Sequence, residues 1–581
     1  MKSHSWAKTT LSLLALMPLL PLFAPWNLEP VPSFHQEWLA IIAGLLACLA
    51  AMPLLRRAED LQIPVIAALP LALVVYLALQ AKILPQVITP HAQMAMLYLL
   101  WAAALMVLTA LLRQQLGTPS VALWLAAGLA LAASCAALRE LVFRLQGTRG
   151  NWGGMAQPNN YSDLLALGGA SLLYCHSTTK RFRPLFWLMA ASIVLGLSLT
   201  PSRGVWLYWL ALGLLAWRYE QAWLRGLLLG FAGYLLLQGL WATGVLPAQQ
   251  TAAARLVQEI GGAPLRLHIW RVAWQLFSQS PLLGQGFGQF DWAYFNAGQH
   301  IPELSNRLEH AHNLPLHLLA ELGLLPVLLL LLGMAAWLKP FFKSQPGDAD
   351  QNNPSAACIR LWLLMLLAVL GIHSLLEYPL WYAQFLGIAA LVLALGEQRF
   401  WRIDLGKALK LVSAGALCFS LLAAGMHEWQ YTKMELALLG VIADRSQRRM
   451  DHLVEVCQQV PDKAPLLFPY VPVIFTFASA AENAEMRAEL TALADASYRF
   501  WPTKDLSYRQ ALMQALNGRK PEAIATLRLA MGAYPQWIDH FQSELERLNP
   551  ADRQKAAFLG QMLIPGVQAS LPLQGRDGFL N

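Results

Sequence analysis

From about residue 7 to residue 426 the chain is a succession of apolar runs separated by short polar stretches. A helix that crosses a bilayer needs about 20 mostly apolar residues. Runs of that kind are read at 7–26, 37–54, 62–80, 92–112, 120–138, 161–176, 184–200, 204–217, 226–245, 313–338, 359–375, 380–396 and 408–426, about 13 spans in all. One long polar segment, 246–312, interrupts them. Beyond residue 427 the pattern changes: charged residues rise, and helical periodicity with breaks replaces the apolar runs. There the spacing predicts a helix over 507–516, a break at Asn517-Gly518, and a second helix starting at Pro521, a favourable residue at a helix N-terminus. The pair fits either a tetratricopeptide-type unit or a small helical domain. The fold class expected is therefore all-α: a polytopic membrane bundle over 1–426 carrying the large loop 246–312, then a soluble helical domain over 427–581.

Composition agrees. Of the 581 residues, 57% are hydrophobic and 13% charged, with 22 Trp, and mean hydropathy is +0.43. A soluble domain carries roughly 25% charged residues. The net charge of +8 is not a nucleic-acid footprint, because the basic residues fall mainly in short loops between apolar runs. Cys48, Cys135, Cys175, Cys358, Cys418 and Cys457 are scattered, with neither the spacing of a metal site nor that of a disulfide framework. The basic start, Met1-Lys2-Ser3-His4, leads into an apolar run with no small-residue cleavage site, so an uncleaved first span is expected.

The positive-inside rule sets an orientation. With the N-terminus inside, the inner loops hold Arg56-Arg57, Arg113, Lys180-Arg181-Arg183, Arg218 and Arg225, Lys339 and Lys343, and Arg399, Arg402 and Lys407. Every inner loop is basic. The odd span count then puts the C-terminal domain outside, in the periplasm if the cell is a bacterium with an inner membrane. Four polar clusters fall on that outer side: 154–160, Thr200-Pro201-Ser202-Arg203-Gly204, the loop 246–312 ending in Glu309-His310-Ala311-His312-Asn313, and His373-Ser374-Leu375-Leu376-Glu377-Tyr378. Arg139, Arg144, Arg149, Arg203, Arg266 and Arg271 are outside too, on the side the rule disfavours, and point to a bound anion.

Each cluster has a plain and a chemical reading. Arg203 either anchors a helix end at the interface or meets an anion with its planar fork of donors. Residues 265–274 read as an amphipathic helix on the membrane surface, with Arg266 and Arg271 meeting headgroups or substrate. Gly284-Gln285-Gly286-Phe287-Gly288 reads as a tight turn rather than a nucleotide loop, since no strand precedes it. His310 and His312 share a face only if the stretch is extended, and no His-Glu-x-x-His pattern marks a zinc site. His312 has Asn313, Glu309 and Glu321 close in sequence; an imidazole with an ordinary pKa of about 6.5 takes a proton from a hydroxyl at neutral pH. His373 and Glu377, at i and i+4, neighbour each other on a helix and fit either a packing pair or a functional one.

Together Gln157-Pro158-Asn159, Ser202-Arg203-Gly204, Pro281-Leu282-Leu283-Gly284-Gln285-Gly286, His312-Asn313 with Leu319-Ala320-Glu321-Leu322-Gly323, and the run from His373 to Tyr382 resemble the O-antigen ligase/polymerase superfamily. The run His-Ser-Leu-Leu-Glu-Tyr-Pro-Leu-Trp-Tyr followed by a helical tail is most similar to the PglL branch of bacterial protein O-oligosaccharyltransferases. The resemblance implies a GT-C-type membrane glycosyltransferase that uses undecaprenyl-diphosphate-linked glycan. Its essential histidine maps to His312, and its essential arginines map to Arg203 and to Arg271 or Arg266. The implied mechanism has His312 deprotonating a Ser or Thr hydroxyl while Arg203 and Arg271 stabilise the leaving diphosphate. Arg266, Gln157, Asn159, Asn160, Tyr161, Glu309, His310, Asn313, His373 and Glu377 complete the substrate-binding set. No metal, nucleotide or other cofactor is required, because the donor already carries the energy. The expected partners are the lipid-linked oligosaccharide, membrane lipids, and an acceptor protein such as a pilin. Relatives that ligate glycan to lipid A core or polymerise repeat units leave the acceptor open. A polyprenyl-lipid flippase is the non-enzymatic alternative; it needs polar residues within the spans and on both faces, whereas these span interiors are nearly free of charge.

Overall fold

A computed structural model describes residues 2–24, 30–58, 60–148, 151–155, 157–179, 183–243, 265–297, 307–343, 354–404, 406–444, 446–478 and 487–563. Arg149, Ala156, Lys180, Arg181 and much of the 246–312 loop lie outside the described residues.

Among the described residues, helices occupy every expected span, as they must in hydrocarbon, where each backbone N–H and C=O has to pair within the chain. The first half consists of α1 (Lys2–Leu16), α2 (Phe34–Ala50), α3 (Met52–Arg57), α4 (Ala68–Ile83), α5 (Thr89–Leu116), α6 (Thr118–Leu145), α7 (Pro158–Thr178), α8 (Arg183–Leu199), α9 (Gly204–Tyr219) and α10 (Gln221–Ala242). The loop contributes α11 (Leu265–Gln279) and α12 (Phe290–Asn296). The second half is α13 (Leu314–Leu322), α14 (Leu324–Lys343), α15 (Pro354–Leu376), α16 (Ala383–Gly396) and α17 (Lys407–Ala443). Among the described residues, 8 helices are long and apolar enough to cross a membrane, and Pro184–Leu199 and Ala383–Gly396 are shorter apolar helices. The remaining expected spans, such as α1, α7 and α9, are helical but miss that length or hydropathy.

Small residues let the central helices close in. A Cβ on Gly128 of α6 would lie 2.0 Å from the Ala15 carbonyl oxygen of α1, and one on Gly168 of α7 would lie 2.1 Å from Ala133 Cβ of α6. Close backbone approach of this kind is how helices gain packing energy in lipid.

The two ends of the bundle differ. At one end β1 (Asp60–Pro64) pairs antiparallel with β2 (Phe400–Asp404), Asp60 opposite Asp404 and Pro64 opposite Phe400. Beside it Arg113 donates to the carbonyls of Ala394 at 2.7 Å and Glu397 at 2.8 Å. These are three of the loops expected inside. At the other end Arg144 donates to Glu140 at 2.6 Å and to the Leu199 carbonyl at 3.1 Å, Glu140 accepts from the Gly153 amide at 2.9 Å, and Thr200 donates to the Pro158 carbonyl at 3.3 Å. The loops expected outside are thus tied to one another.

One expected span is corrected. The run 313–338 is not one span: it breaks at Gly323, whose φ of +77° favours glycine and where a Cβ would sit 2.3 Å from the Leu282 carbonyl oxygen. The boundary at 427 falls inside α17, which runs uninterrupted to Ala443. Leu411, Val412, Phe419 and Leu422 of its first half are exposed, whereas His427, Gln430, Tyr431, Met434 and Glu435 of its second half are buried. Tyr431 stacks on Phe34 at 3.7 Å, and His35 contacts Glu428 at 2.5 Å and Glu435 at 2.9 Å. The helix leaves the apolar zone and continues as the first element of the tail. There follow α18 (Gln447–Gln458), α19 (Val460–Lys463), α20 (Tyr470–Ala478), α21 (Arg487–Phe500), α22 (Lys504–Leu516), α23 (Lys520–Ala533), α24 (Ile538–Arg547) and α25 (Pro550–Met562). The expected pair is α22 and α23, turning at Gly518 with φ +78°. Tyr534 fastens it, accepting at its carbonyl from Tyr508 at 3.0 Å and donating its hydroxyl proton to the Pro502 carbonyl at 2.6 Å.

Candidate functional site

The site assembles around Glu377, one residue beyond the end of α15. Its Oε2 lies 2.7 Å from His312 Nδ1, and its Oε1 accepts from Asn159 Nδ2 at 2.8 Å and from Arg266 Nη2 at 2.9 Å. Four segments far apart in sequence supply these groups: the start of α7, the start of α11, the turn before α13, and the end of α15. Burial on its own would raise the Glu377 carboxyl. The hydrogen bond and charge of His312 and the charge of Arg266 outweigh it and hold the group below its ordinary value. Glu377 is therefore anionic at neutral pH.

Local backbone places His312. Its φ is +50°, a left-handed conformation that costs a side-chain-bearing residue about 1–3 kcal/mol. Asn313 follows as the cap of α13, accepting from the Leu316 amide at 3.2 Å, and its amide reaches the Leu375 carbonyl at 3.4 Å. The cap starts the helix, and the kink before it swings the imidazole toward Glu377. With the Glu377 carboxylate on Nδ1, the proton belongs on that nitrogen and Nε2 is left as the basic atom. The side chain is 26% exposed, so the group is reachable.

His310 is placed otherwise. It is buried, stacked on Tyr378 at 4.0 Å with a 7° tilt, met edge-on by Trp381 and at a 33° tilt by His317, each at 4.9 Å. Burial, then the neighbouring His317, His312 and Arg307, push its pKa well below the ordinary value and keep it neutral. Glu309 is exposed and accepts from Arg307 Nε at 2.8 Å. Arg307 also reaches Asp291 at 3.5 Å and lies over the Trp501 ring of the tail at 3.3 Å. Burial dominates at Asp291 and lifts its carboxyl to about 7.

The remaining sequence-derived residues divide. Gln157 stands at the N-cap position of α7 without a side-chain capping bond and lines the neighbouring cavity; its Oε1 is buried with no partner among the described residues. Arg203 occupies the residue before α9, without a side-chain capping bond, and is half-buried at the same end of the bundle. Asn160 and Tyr161 are buried inside the bundle; the Tyr161 hydroxyl sits where a Cβ on Gly196 would be 2.7 Å away. Arg271 is exposed, on the opposite side of α11 from buried Ile269, Val272, Ala273 and Leu276. Arg266, on the same helix, is the arginine that reaches Glu377. His373 and Glu377 do not pair with each other but both meet α7: His373 Nδ1 lies 3.2 Å from Asp163 Oδ2, and Glu377 holds Asn159. Asp163 and Arg307 were not singled out from the sequence. A lone aspartate within an apolar run was the available signal for the first; nothing marked the second.

The glycine turn 284–288 buttresses α13. Gly284, Gly286 and Gly288 all have positive φ, the Gln285 and Gly286 amides donate to the Ala320 and Glu321 carbonyls, and Gln80 of α4 donates to the Leu283 and Glu321 carbonyls at 2.7 and 2.9 Å. Alongside lies a cavity of about 980 Å³. Its deep walls are apolar, with Leu69, Leu73, Leu77, Leu331 and Met334, and its polar end carries Gln157, Glu309, His310, Arg307 and Tyr378. Tyr470, Phe500, Trp501 and Thr503 of the tail complete the wall. His312 and Glu377 adjoin this polar end through their neighbours rather than lining the cavity. The arrangement offers a base, a fixed carboxylate, a cation and an apolar chamber within one end of the bundle.

Comparison with known proteins divides the chain in the same way. Residues 184–332 match the family described as O-Antigen ligase, and residues 361–547 match the one described as Virulence factor membrane-bound polymerase, C-terminal. A General O-oligosaccharyltransferase of Acinetobacter baylyi is 28% identical over 251 residues, 40% of this chain and 41% of that protein. The matched stretch is thus about two fifths of the relative's length. Arg266 and His312 lie in the first matched region and Glu377 in the second, so the hydrogen bonds at Glu377 join the two. Over these stretches the chain resembles the O-antigen ligase/polymerase superfamily and, within it, the oligosaccharyltransferases.

Proposed function

We propose that this chain is an oligosaccharyltransferase. It moves a glycan en bloc from a polyprenyl-diphosphate carrier, undecaprenyl in a bacterium, to a Ser or Thr hydroxyl of an extracytoplasmic protein such as a pilin. The observation that carries the reading is the His312–Glu377–Arg266 contact set beside an apolar chamber. The acceptor oxygen attacks the anomeric carbon, the bond from that carbon to the diphosphate oxygen breaks, and the diphosphate leaves with the electron pair. His312 Nε2 receives the hydroxyl proton, while Glu377 holds the imidazole and supports its charge. Arg266 and Arg203, at the same end of the bundle, meet the charge growing on the diphosphate. Arg271, exposed on the far face of its helix, is better suited to headgroups. The apolar chamber takes the prenyl chain, and the free Gln157 amide oxygen accepts from a sugar hydroxyl. The site faces the periplasm and the protein lies in the inner membrane; the basic loops gathered at the opposite end support that orientation.

A second acceptor, the lipid A core, is favoured by the match of residues 184–332 to O-Antigen ligase. Deleting the gene and examining both glycosylated protein and capped lipopolysaccharide separates the two: loss of the protein product alone supports the first reading, loss of the lipid product alone the second. In either case His312→Ala should keep the protein in the membrane and cut transfer by about 10²–10⁴-fold, the usual contribution of a positioned base. Normal transfer by that variant removes the assignment.

A further inference from the structure

Behind the hydrogen bonds at Glu377 lies a second polar contact that the transfer chemistry does not use. Asp163 and His373 are 0% and 1% exposed. Nδ1 of His373 stands 3.2 Å from Oδ2 of Asp163, close enough for an ion pair but not aligned as a hydrogen bond. Isolated charge is very costly so far from water, and a buried pair of this kind persists where it has a structural or functional use. Its place in the fold indicates which. Asp163 is one helical turn from Asn159 on α7, and His373, in the last turn of α15, is one turn before Glu377, whose amide donates to the His373 carbonyl at 2.7 Å. Side chains four apart lie above one another on a helix face. The two helices are thus joined by two rungs at one-turn spacing: Asn159 to Glu377 at the site, and Asp163 to His373 beneath it.

We propose that Asp163 and His373 are positioning residues for transfer: their contact fixes the register of α7 against α15, so that Asn159 holds Glu377 and Glu377 holds His312 in its Nδ1-protonated form. This rests on the functional reading above. Neither residue touches the substrate. Partners that orient metal ligands typically matter about 10–100-fold, and an effect of the same size is expected for these two residues.

The test uses the full-length protein in lipid bilayers. Histidine labelled with ¹³C and ¹⁵N reports each ring's tautomer by solid-state NMR, and the His312 signal is assigned by its loss in His312→Asn. Turnover is measured in parallel with a polyprenyl diphosphate disaccharide and a serine-containing acceptor protein. In Asp163→Asn and His373→Gln the single Nδ1-protonated His312 signal should give way to a mixture of tautomers. The rate constant should fall about 10–100-fold with KM for the donor unchanged, and the double variant should be no worse than the poorer single one. Should either single variant not fold, His373→Asn and the other single variant carry the same measurement. Wild-type turnover, or lost turnover with an unaltered His312 tautomer, overturns the proposal. If instead His312→Ala is fully active, the transfer reading fails, while the tautomer measurement still decides whether the rung holds His312.

Discussion

At the scale of single residues, the position that organises the site is Glu377, which meets three donors from three other segments. A carboxylate needs such a shell to stay charged out of water. Glu377→Gln keeps the shape and removes the charge, and transfer should fall about 10–100-fold. The same group gives a pH dependence. Its folded pKa lies below the ordinary carboxyl value, so it contributes stability that is present above the unfolded pKa and lost as pH falls through the depressed folded one. Melting of the purified protein across acidic pH should show a destabilisation in wild type that is smaller in Glu377→Gln; identical acid profiles would remove the coupling. His310 and His312 show how two like residues two positions apart take unlike roles. One is enclosed by Tyr378 and Trp381 and held neutral; the other is turned outward by its own backbone. From the sequence both were open, because the left-handed turn at His312 has no signature in the residue types there.

Among elements, the break between α13 and α14 fixes where the site stands. A continuous helix over 313–338 would carry Asn313 away from the Leu282–Gly288 turn, and the break lets α13 lie against it. Gly323→Ala would bring a Cβ against the Leu282 carbonyl in a left-handed backbone. It should destabilise the protein by at least about 1–3 kcal/mol, read as a lower melting temperature with transfer lost in parallel. The apolar run hid this boundary: hydropathy counts the residues of a span and is insensitive to one glycine within it. The spans themselves were legible, since long apolar runs leave the backbone little choice but helix. The helix pair of the tail was legible for a different reason, its Asn-Gly break and Pro start. The end of the membrane part was not, because α17 keeps its helical backbone while the residues it buries change from none to His427, Tyr431 and Glu435. Of the site, the clusters could be read and their sidedness reasoned from loop charge. The pairing could not: that Arg266 rather than Arg271 reaches Glu377 depends on which face of α11 the bundle covers.

For the molecule as a whole, the tail is part of the chamber rather than an appendage. Trp501 lies under Arg307, and Tyr470 and Phe500 close the same wall. The end that carries the candidate site is thus built from residues spread between Asn159 and Trp501, whereas the opposite end is strapped by β1 on β2, in a register that sets Gln62 opposite Arg402. If this lacing holds through the working cycle, cargo enters and leaves at the other mouth or sideways through the lipid. Lipid translocation would require the lacing to open. A cysteine pair at Gln62 and Arg402, oxidised in isolated membranes, should leave glycan transfer intact; arrest by that bond would mark a protein that works by rocking between two openings.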